Sequence, residues 1–474
     1  MRLVGTSGRS VRVLGAIGRA YRRDAARREG PADRLCAVER IGVIGAGPAG
    51  LAAVRELTAA GLDAVAFERG ARVGGVWTLE DRPTAAYRSL HLITSRERTE
   101  FAAFPLPPGT ADYPSRDVVG RYLESYVEHF GLADRLRPGS GVARAERDPA
   151  GGWTLTLDDG GTEEVDRLVV ANGHNAVPKW PEPAYPGADA FAGEQLHAVD
   201  YDDARAFEGR RVLVVGMGNS AMDIASDLSL VADHVVLSVR HGSWVVPKRL
   251  LGKPADQVTS PWAAVHVPLA LRQAVSQTLL RLVSGPPERY GLPKPQRGLF
   301  EDHPTISDTI LSRISHGRIT PRGAISRLEA DGVVFADGVR EQLDAIVWCT
   351  GYRVDMPFLD PALLGPEPTE LPLYKRVFHL DVPDLHFVGY MQSTGSAFPI
   401  VERQSALLAA ALTGRWAPPS RAEMAADCAR RRADAVRRWG DRGRPAMRVD
   451  FDRYMHELAA ELEAGAARVA TVAA

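Results

Sequence analysis

At 474 residues the chain is too long for one ordinary hydrophobic core and is expected to form two or three domains. Charged residues make up 25% with a formal net charge of -1, so nothing in the balance calls for nucleic acid or an anionic membrane as partner. Three cysteines, Cys36, Cys349 and Cys428, stand far apart without CxxC spacing, which argues against a disulfide framework, a metal site or a dithiol redox pair and fits a cytoplasmic protein.

Over its first thirty residues the chain is basic, Arg2, Arg9, Arg12, Arg19, Arg22, Arg23, Arg27 and Arg28 facing only Asp24 and Glu29. Residues 1–36 are read as a flexible basic extension, or as a start codon placed too early, in preference to an organelle transit peptide. No uncharged apolar run reaches the roughly 18 residues of a spanning helix. The nearest stretch, Trp262 to Val283, is interrupted by Pro268, Arg272, Gln273, Gln277 and Arg281 and is read as a helix packed on the surface.

The segment RIGVIGAGPAGLAAVRELTAAGLDAVAFERG reads as strand, turn, helix and strand. Gly45 permits the tight turn, Gly47 lets the backbone approach a pyrophosphate, and Gly50 lets the helix pack close on the strand. Pro48 and Ala49 open a helix whose N-terminus offers free amides to that pyrophosphate. Glu68 follows about twenty residues on, where a carboxylate accepts from ribose hydroxyls. The pattern recurs in RRVLVVGMGNSAMDIASDLSLVADHVVLSVRHG, with Gly216, Gly218, Asn219, Ser220 and Ala221 in the turn. Here the second strand ends at Arg240 instead of an acid, and a guanidinium suits a 2'-phosphate. One acid-ended and one base-ended site suggest FAD first and NADPH second. With no close cysteine pair to take the electrons, dioxygen is the expected acceptor.

Between the two turns lies FAGEQLHAVDY, where Phe191, Gly193, His197 and Tyr201 fill the pattern FxGxxxHxxx(Y/F). This stretch resembles the fingerprint of the flavin-containing monooxygenases. Further similar segments are Gly74-Gly75-Val76-Trp77, GMGNSAMDIA, Tyr290 to Pro293, His303 to Asp308, Trp348-Cys349-Thr350-Gly351-Tyr352 and HFVGYMQSTGSAFPIVERQ, so that the resemblance runs from Arg40 to about Trp416. It implies an α/β fold of two doubly wound Rossmann-like dinucleotide-binding domains, the FAD domain discontinuous with the NADPH domain inserted. The corresponding boundaries are 37–183 and 329–415 for the FAD domain, 184–328 for the NADPH domain and 416–474 for a helical tail on that domain or on a partner subunit.

The resemblance further implies that NADPH reduces the flavin, that dioxygen forms a C4a-hydroperoxide, and that a small-molecule amine or sulfide takes one oxygen atom. Gly75, Trp77, Thr350 and Gly351 are then expected at the cofactors, His197 and Tyr201 at the hinge, and Thr94 and Gln392 around the flavin. Ile93 aligns with an asparagine of the vertebrate members, so either Thr94 or Ser95 supplies the polar group or the oxygenated flavin is handled differently. Asn172 replaces the threonine of the usual ATGH crossing with little expected consequence. Alternatives left open are Baeyer-Villiger oxygenation of a ketone, disfavoured by Tyr201, and an uncoupled oxidase or idle cofactor-binding flavoprotein. A homo-oligomer is left open as well.

Overall fold

The computed structural model describes residues 39–78, 84–301, 304–439 and 444–473, and from Arg40 onward the chain forms one unit. The basic extension expected over 1–36 lies outside the described residues.

Two sheets organise this unit. The first has the strand order Leu373–Tyr374, Phe378–His379, Leu385–Phe387, Arg167–Val170, Arg40–Ile44, Asp63–Phe67 and Leu136–Arg137. From Leu385–Phe387 to Leu136–Arg137 its strands pair in parallel, and the two short strands at the other edge are antiparallel. The second sheet is wholly parallel in the order Ile319–Arg322, His234–Ser238, Arg211–Val215, Ala345–Trp348 and Glu194–His197.

Parallel sheets are covered on both faces, so their strands read as continuous apolar runs whose alternate residues enter different cores. Val212 and Val214 pack with Ile224 and Leu228 of helix Asn219–Leu228. Leu213 and Val215 face the other way, into Leu328, Val333 and Phe335 of a three-stranded antiparallel meander over 325–342. The first sheet repeats the plan. Ile41 and Val43 join helices Pro48–Ala59 and Phe398–Leu412, while Ile44 meets Trp153, Leu155 and Val165 of a meander over 142–165.

This duplication moves one boundary. Strand Ala345–Trp348 pairs with Arg211–Val215, so the chain is still in the second sheet well after Glu329, where the sequence placed its return. The meander after Ile325 covers the second sheet, and the crossing back occupies Cys349 to Arg353. There Tyr352 and Arg353 pair antiparallel with Pro178 and Val177 of the outward crossing.

The stretch Trp262 to Val283 is two helices, Pro261–His266 and Leu269–Val283, broken at Pro268, which lacks the amide a continuous helix needs. Its outer face is exposed at Trp262, Leu271 and Val275. No helix among the described residues is long and apolar enough to cross a membrane. The C-terminal segment is helical at Arg421–Trp439 and Phe451–Ala473 and packs on the first sheet's core through Trp416, Tyr454 and Leu458. The Tyr454 hydroxyl donates to the Lys375 carbonyl at 2.6 Å and accepts from Gln404 Nε2 at 2.9 Å.

Candidate active site

Each glycine turn begins under a carbonyl of the next strand. Gly45 has φ +99°, and a Cβ there would stand 2.8 Å from the Ala171 carbonyl oxygen. Gly216 has φ +142°, with the Cys349 carbonyl oxygen 2.7 Å from the same notional atom. A side chain at either place meets rigid backbone and a left-handed φ together. Gly50 is tighter still, because its Cβ would lie 1.9 Å from the Gly45 carbonyl oxygen, which is the close helix-to-strand packing expected of it.

A cavity of about 920 Å³ opens at the first turn, near the upper end of the roughly 300–1,000 Å³ of ligand sites. Gly45, Gly47, Pro48, Ala49, Glu68, Gly75 and Trp77 line it, with Asn172 and Gly173 of the first crossing. Gly47 and Gly75 approach each other without side chains, a Cβ on Gly75 lying 3.1 Å from the Gly47 Cα. Glu68 is 8% exposed, and its carboxylate accepts from the Ala46 amide at 2.8 Å and the Gly70 amide at 2.7 Å. The bare backbone, the helix start and an oriented carboxylate at a strand end together fit a dinucleotide.

The second turn reaches the same cavity through Asn219, Ser220 and Asp223. Among the described residues no atom lies within 4 Å of a notional Cβ on Gly218, so the backbone there faces open space. Gly216, Gly218, Ala221 and Arg240 stand off the cavity wall, and Arg240 is exposed without an ion pair among the described residues. Thr94 lines the cavity beside Ile93, its hydroxyl 2.7 Å from that of Thr99, whereas Ser95 is turned away to bond Gln257.

A model of the flavin-binding monooxygenase-like family matches residues 38–470, nearly the whole of the described chain. The chain belongs to this family. Flavin-containing monooxygenase 2 of Homo sapiens is 31% identical over 446 residues, covering 90% of this chain and 83% of its own. Dimethylaniline monooxygenase [N-oxide-forming] 2 of Rattus norvegicus is 32% identical, with 90% and 83% covered. Among solved structures, S-allyl-L-cysteine S-oxygenase from Allium sativum superposes with a TM-score of 0.65 at 26% identity, covering 90% of this chain and 89% of that one. A cyclohexanone monooxygenase shares the fold, with a TM-score of 0.69 at 20% identity over 90% and 98% of the two chains. Membership makes this an FAD-dependent oxidoreductase that incorporates one oxygen atom.

In this monooxygenase none of the fingerprint residues lines the cavity: Phe191 and Gly193 sit in the core under the 325–342 meander, while His197 and Tyr201 bond the segments around the cavity. His197 is fully buried at the end of strand Glu194–His197, and its Nδ1 accepts from the Val199 amide at 3.1 Å. That leaves Nε2 to donate to the Gly351 carbonyl at 3.0 Å, pinning the return crossing. Burial lowers the imidazole pKa, consistent with the neutral tautomer those two bonds require. Thr350 donates to the Lys179 carbonyl, so Thr350 and Gly351 belong to the paired crossings and do not line the cavity. Tyr201 donates to Asp227 Oδ2 at 2.7 Å, and Ser89 donates to the same oxygen at 2.8 Å. Tyr87 sets its ring edge-on against Tyr201 at 5.4 Å and its hydroxyl bonds Asp223. Two carboxylates one helical turn apart are thus held by three hydroxyls, clamping the second turn's helix to the segment that follows the first. Gln392 lies off the cavity in a short parallel pairing with Arg448–Val449.

Several cavity residues carry no motif. Burial pushes the Asp223 carboxyl up and the Lys248 ammonium down, each opposed by the charge of the other, and Lys248 lies over the Tyr113 ring at 5.2 Å. Asp223 was legible in principle, being one helical turn beyond Asn219 on the same face. Arg272 of the surface helix and Asp450, Phe451 and Asp452 of the C-terminal segment also line the cavity, though nothing in their local sequence marks them.

Proposed function

We propose that this chain is an NADPH- and dioxygen-dependent monooxygenase that places one oxygen atom on a nucleophilic nitrogen or sulfur of a small molecule. The observation that carries the reading is that both glycine turns open on one cavity, with Gly45 to Ala49 and Glu68 from the first and Asn219 and Ser220 from the second. A hydride donor and a flavin held there share one space. The FAD-binding part is the first sheet with its two separated stretches of chain, and the NADPH-binding domain is inserted between the paired crossings. Glu68 takes the FAD ribose, the amides opening helix Pro48–Ala59 take its pyrophosphate, and Arg240 takes the 2'-phosphate of NADPH. When bound, the flavin supplies the redox step and the activation of oxygen. The protein's part is position and exclusion of water, which the apolar walls at Trp77, Phe398 and Phe451 provide. Relatives named for N-oxide formation and for S-oxygenation support nitrogen or sulfur as the acceptor.

The test is product analysis with the purified yellow protein, NADPH and oxygen, offering an amine, a sulfide and a ketone. An N-oxide or sulfoxide matching NADPH consumed is expected. An ester from the ketone alone, or hydrogen peroxide equal to NADPH with no oxygenated product, would replace this reading with one of the alternatives. NADH should serve markedly less well, and Arg240→Ala should raise the KM for NADPH by about tenfold or more, the worth of a charge-assisted hydrogen bond.

A further inference from the structure

Most charged groups on the cavity wall already have a close partner in the fold. Arg98 donates to Asp452 Oδ1 at 2.6 Å and stacks 4.7 Å over Phe451, Glu68 takes two amides, and Asp223 takes Tyr87. Arg272 differs. It lies in the first turn of helix Leu269–Val283 with its side chain 11% exposed and its guanidinium 4.9 Å over the Phe300 ring. Nη1 donates to the Ala264 carbonyl at 3.0 Å, and Nε is buried without a partner among the described residues. Among the described residues its carboxylate neighbour is Asp450, whose Oδ2 stands 3.9 Å from Nη2, too far for a hydrogen bond. The other oxygen of Asp450 is engaged at 3.2 Å by the Arg453 amide at the start of helix Phe451–Ala473. A guanidinium with five donors therefore spends one of them well, in a chamber whose neighbouring wall is Leu279, Leu280, Leu299, Phe300 and Phe451. A buried cation with idle donors is costly, and an anion reaching the guanidinium from the cavity recovers that cost through charge-assisted hydrogen bonding.

We propose that Arg272 is the substrate-recognition residue of this cavity and that the preferred substrate is a soft nucleophile carrying a single carboxylate. The proposal rests on the monooxygenase reading above and adds the substrate class. The carboxylate docks on Arg272 while the apolar body lies against Phe300 and Phe451. Asp450 then faces the substrate, opposing a second negative charge and accepting an ammonium where one is present.

The experiment compares (methylthio)acetate with methyl phenyl sulfide as substrates of the flavin-loaded protein and its Arg272→Gln and Arg272→Lys variants. The ratio of kcat/KM for the acid to that for the neutral sulfide should fall at least about tenfold in Arg272→Gln, chiefly through KM, and recover in part in Arg272→Lys. An unchanged ratio overturns the proposal, because a merely structural role moves both substrates alike. If the wild type forms no sulfoxide from either, the monooxygenase reading fails. Binding of (methylthio)acetate, followed by perturbation of the flavin spectrum, then decides Arg272 separately. A Kd raised tenfold in Arg272→Gln supports it and an equal Kd sinks it.

Discussion

Single residues here are constrained in ways that make opposite expectations for chemically similar changes. Gly50→Ala drives a methyl into the Gly45 carbonyl, whereas Gly218→Ala adds one to open space. Gly50→Ala should displace the first turn and yield protein with little bound flavin, read from the ratio of absorbance at 450 nm to that at 280 nm, roughly the contrast expected when overpacking meets backbone. Gly218→Ala should keep its flavin and lose affinity for NADPH alone. His386 makes a second residue-scale case. It is buried on strand Leu385–Phe387 with neither ring nitrogen hydrogen-bonded among the described residues, and burial, with Arg167 adding to it, pulls its pKa from 6.5 to about 3. The native state thus favours the neutral ring, so its contribution is full above pH 6.5 and is lost as pH falls toward 3. The slope is at most about 1.4 kcal/mol per pH unit. Urea unfolding from pH 7 to pH 4 should show that decline, and His386→Phe, edge-on to Phe378 as the imidazole is, should flatten it.

At the scale of elements, the clamp between Tyr201, Ser89 and Asp227 gives the fingerprint tyrosine a task that its aromatic ring alone would not perform. Tyr201→Phe keeps the contacts with Tyr87 and Phe207 and removes one donor from a partly buried carboxylate. A loss of about 1 kcal/mol of stability and a several-fold rise in KM for NADPH are expected, with flavin content unchanged. The clamp's carboxylates were not read from the sequence, but the two strand-turn-helix-strand units were. In each of the two units the glycine turn, the strand that follows it and the acid or base that ends that strand fall within about thirty residues. What failed to show was the return boundary, because the strands of the meander over 325–342 look alike whichever sheet they cover, and only pairing of Ala345–Trp348 with Arg211–Val215 decides. Thr350 and Gly351 were legible as a crossing but not as a hinge, since their partners Lys179 and His197 lie more than 150 positions away.

Across the whole molecule, the cavity is assembled from parts that meet only late in the chain. Phe451 reaches it because Gly395 has no side chain: a Cβ there would stand 2.8 Å from the Phe451 ring. The Phe451 amide donates to Thr394 Oγ1 at 3.1 Å, and Arg448–Val449 extends Gln392–Ser393 as a parallel pair. No property of the sequence from 416 onward beyond helical spacing announces this, so it was expected only to pack. Gly395→Val should therefore unseat Phe451, lowering the affinity for sulfide substrates while the nucleotide turns, built from distant residues, keep their flavin. Equilibrium titration of the flavin absorbance with substrate checks it.

The two crossings between the sheets, held side by side at Val177–Pro178 and Tyr352–Arg353, have a mechanical consequence. Two separate tethers would let one sheet swing about either of them. A hydrogen-bonded ribbon resists splaying and yields most readily along its own axis by twisting. His197 grips Gly351 of one crossing, and Asn172 donates to the carbonyl of Asp355 at 3.1 Å, so the ribbon is anchored both to the end of the second sheet and to the cavity wall. The pair is built as a torsion bar between the two sheets.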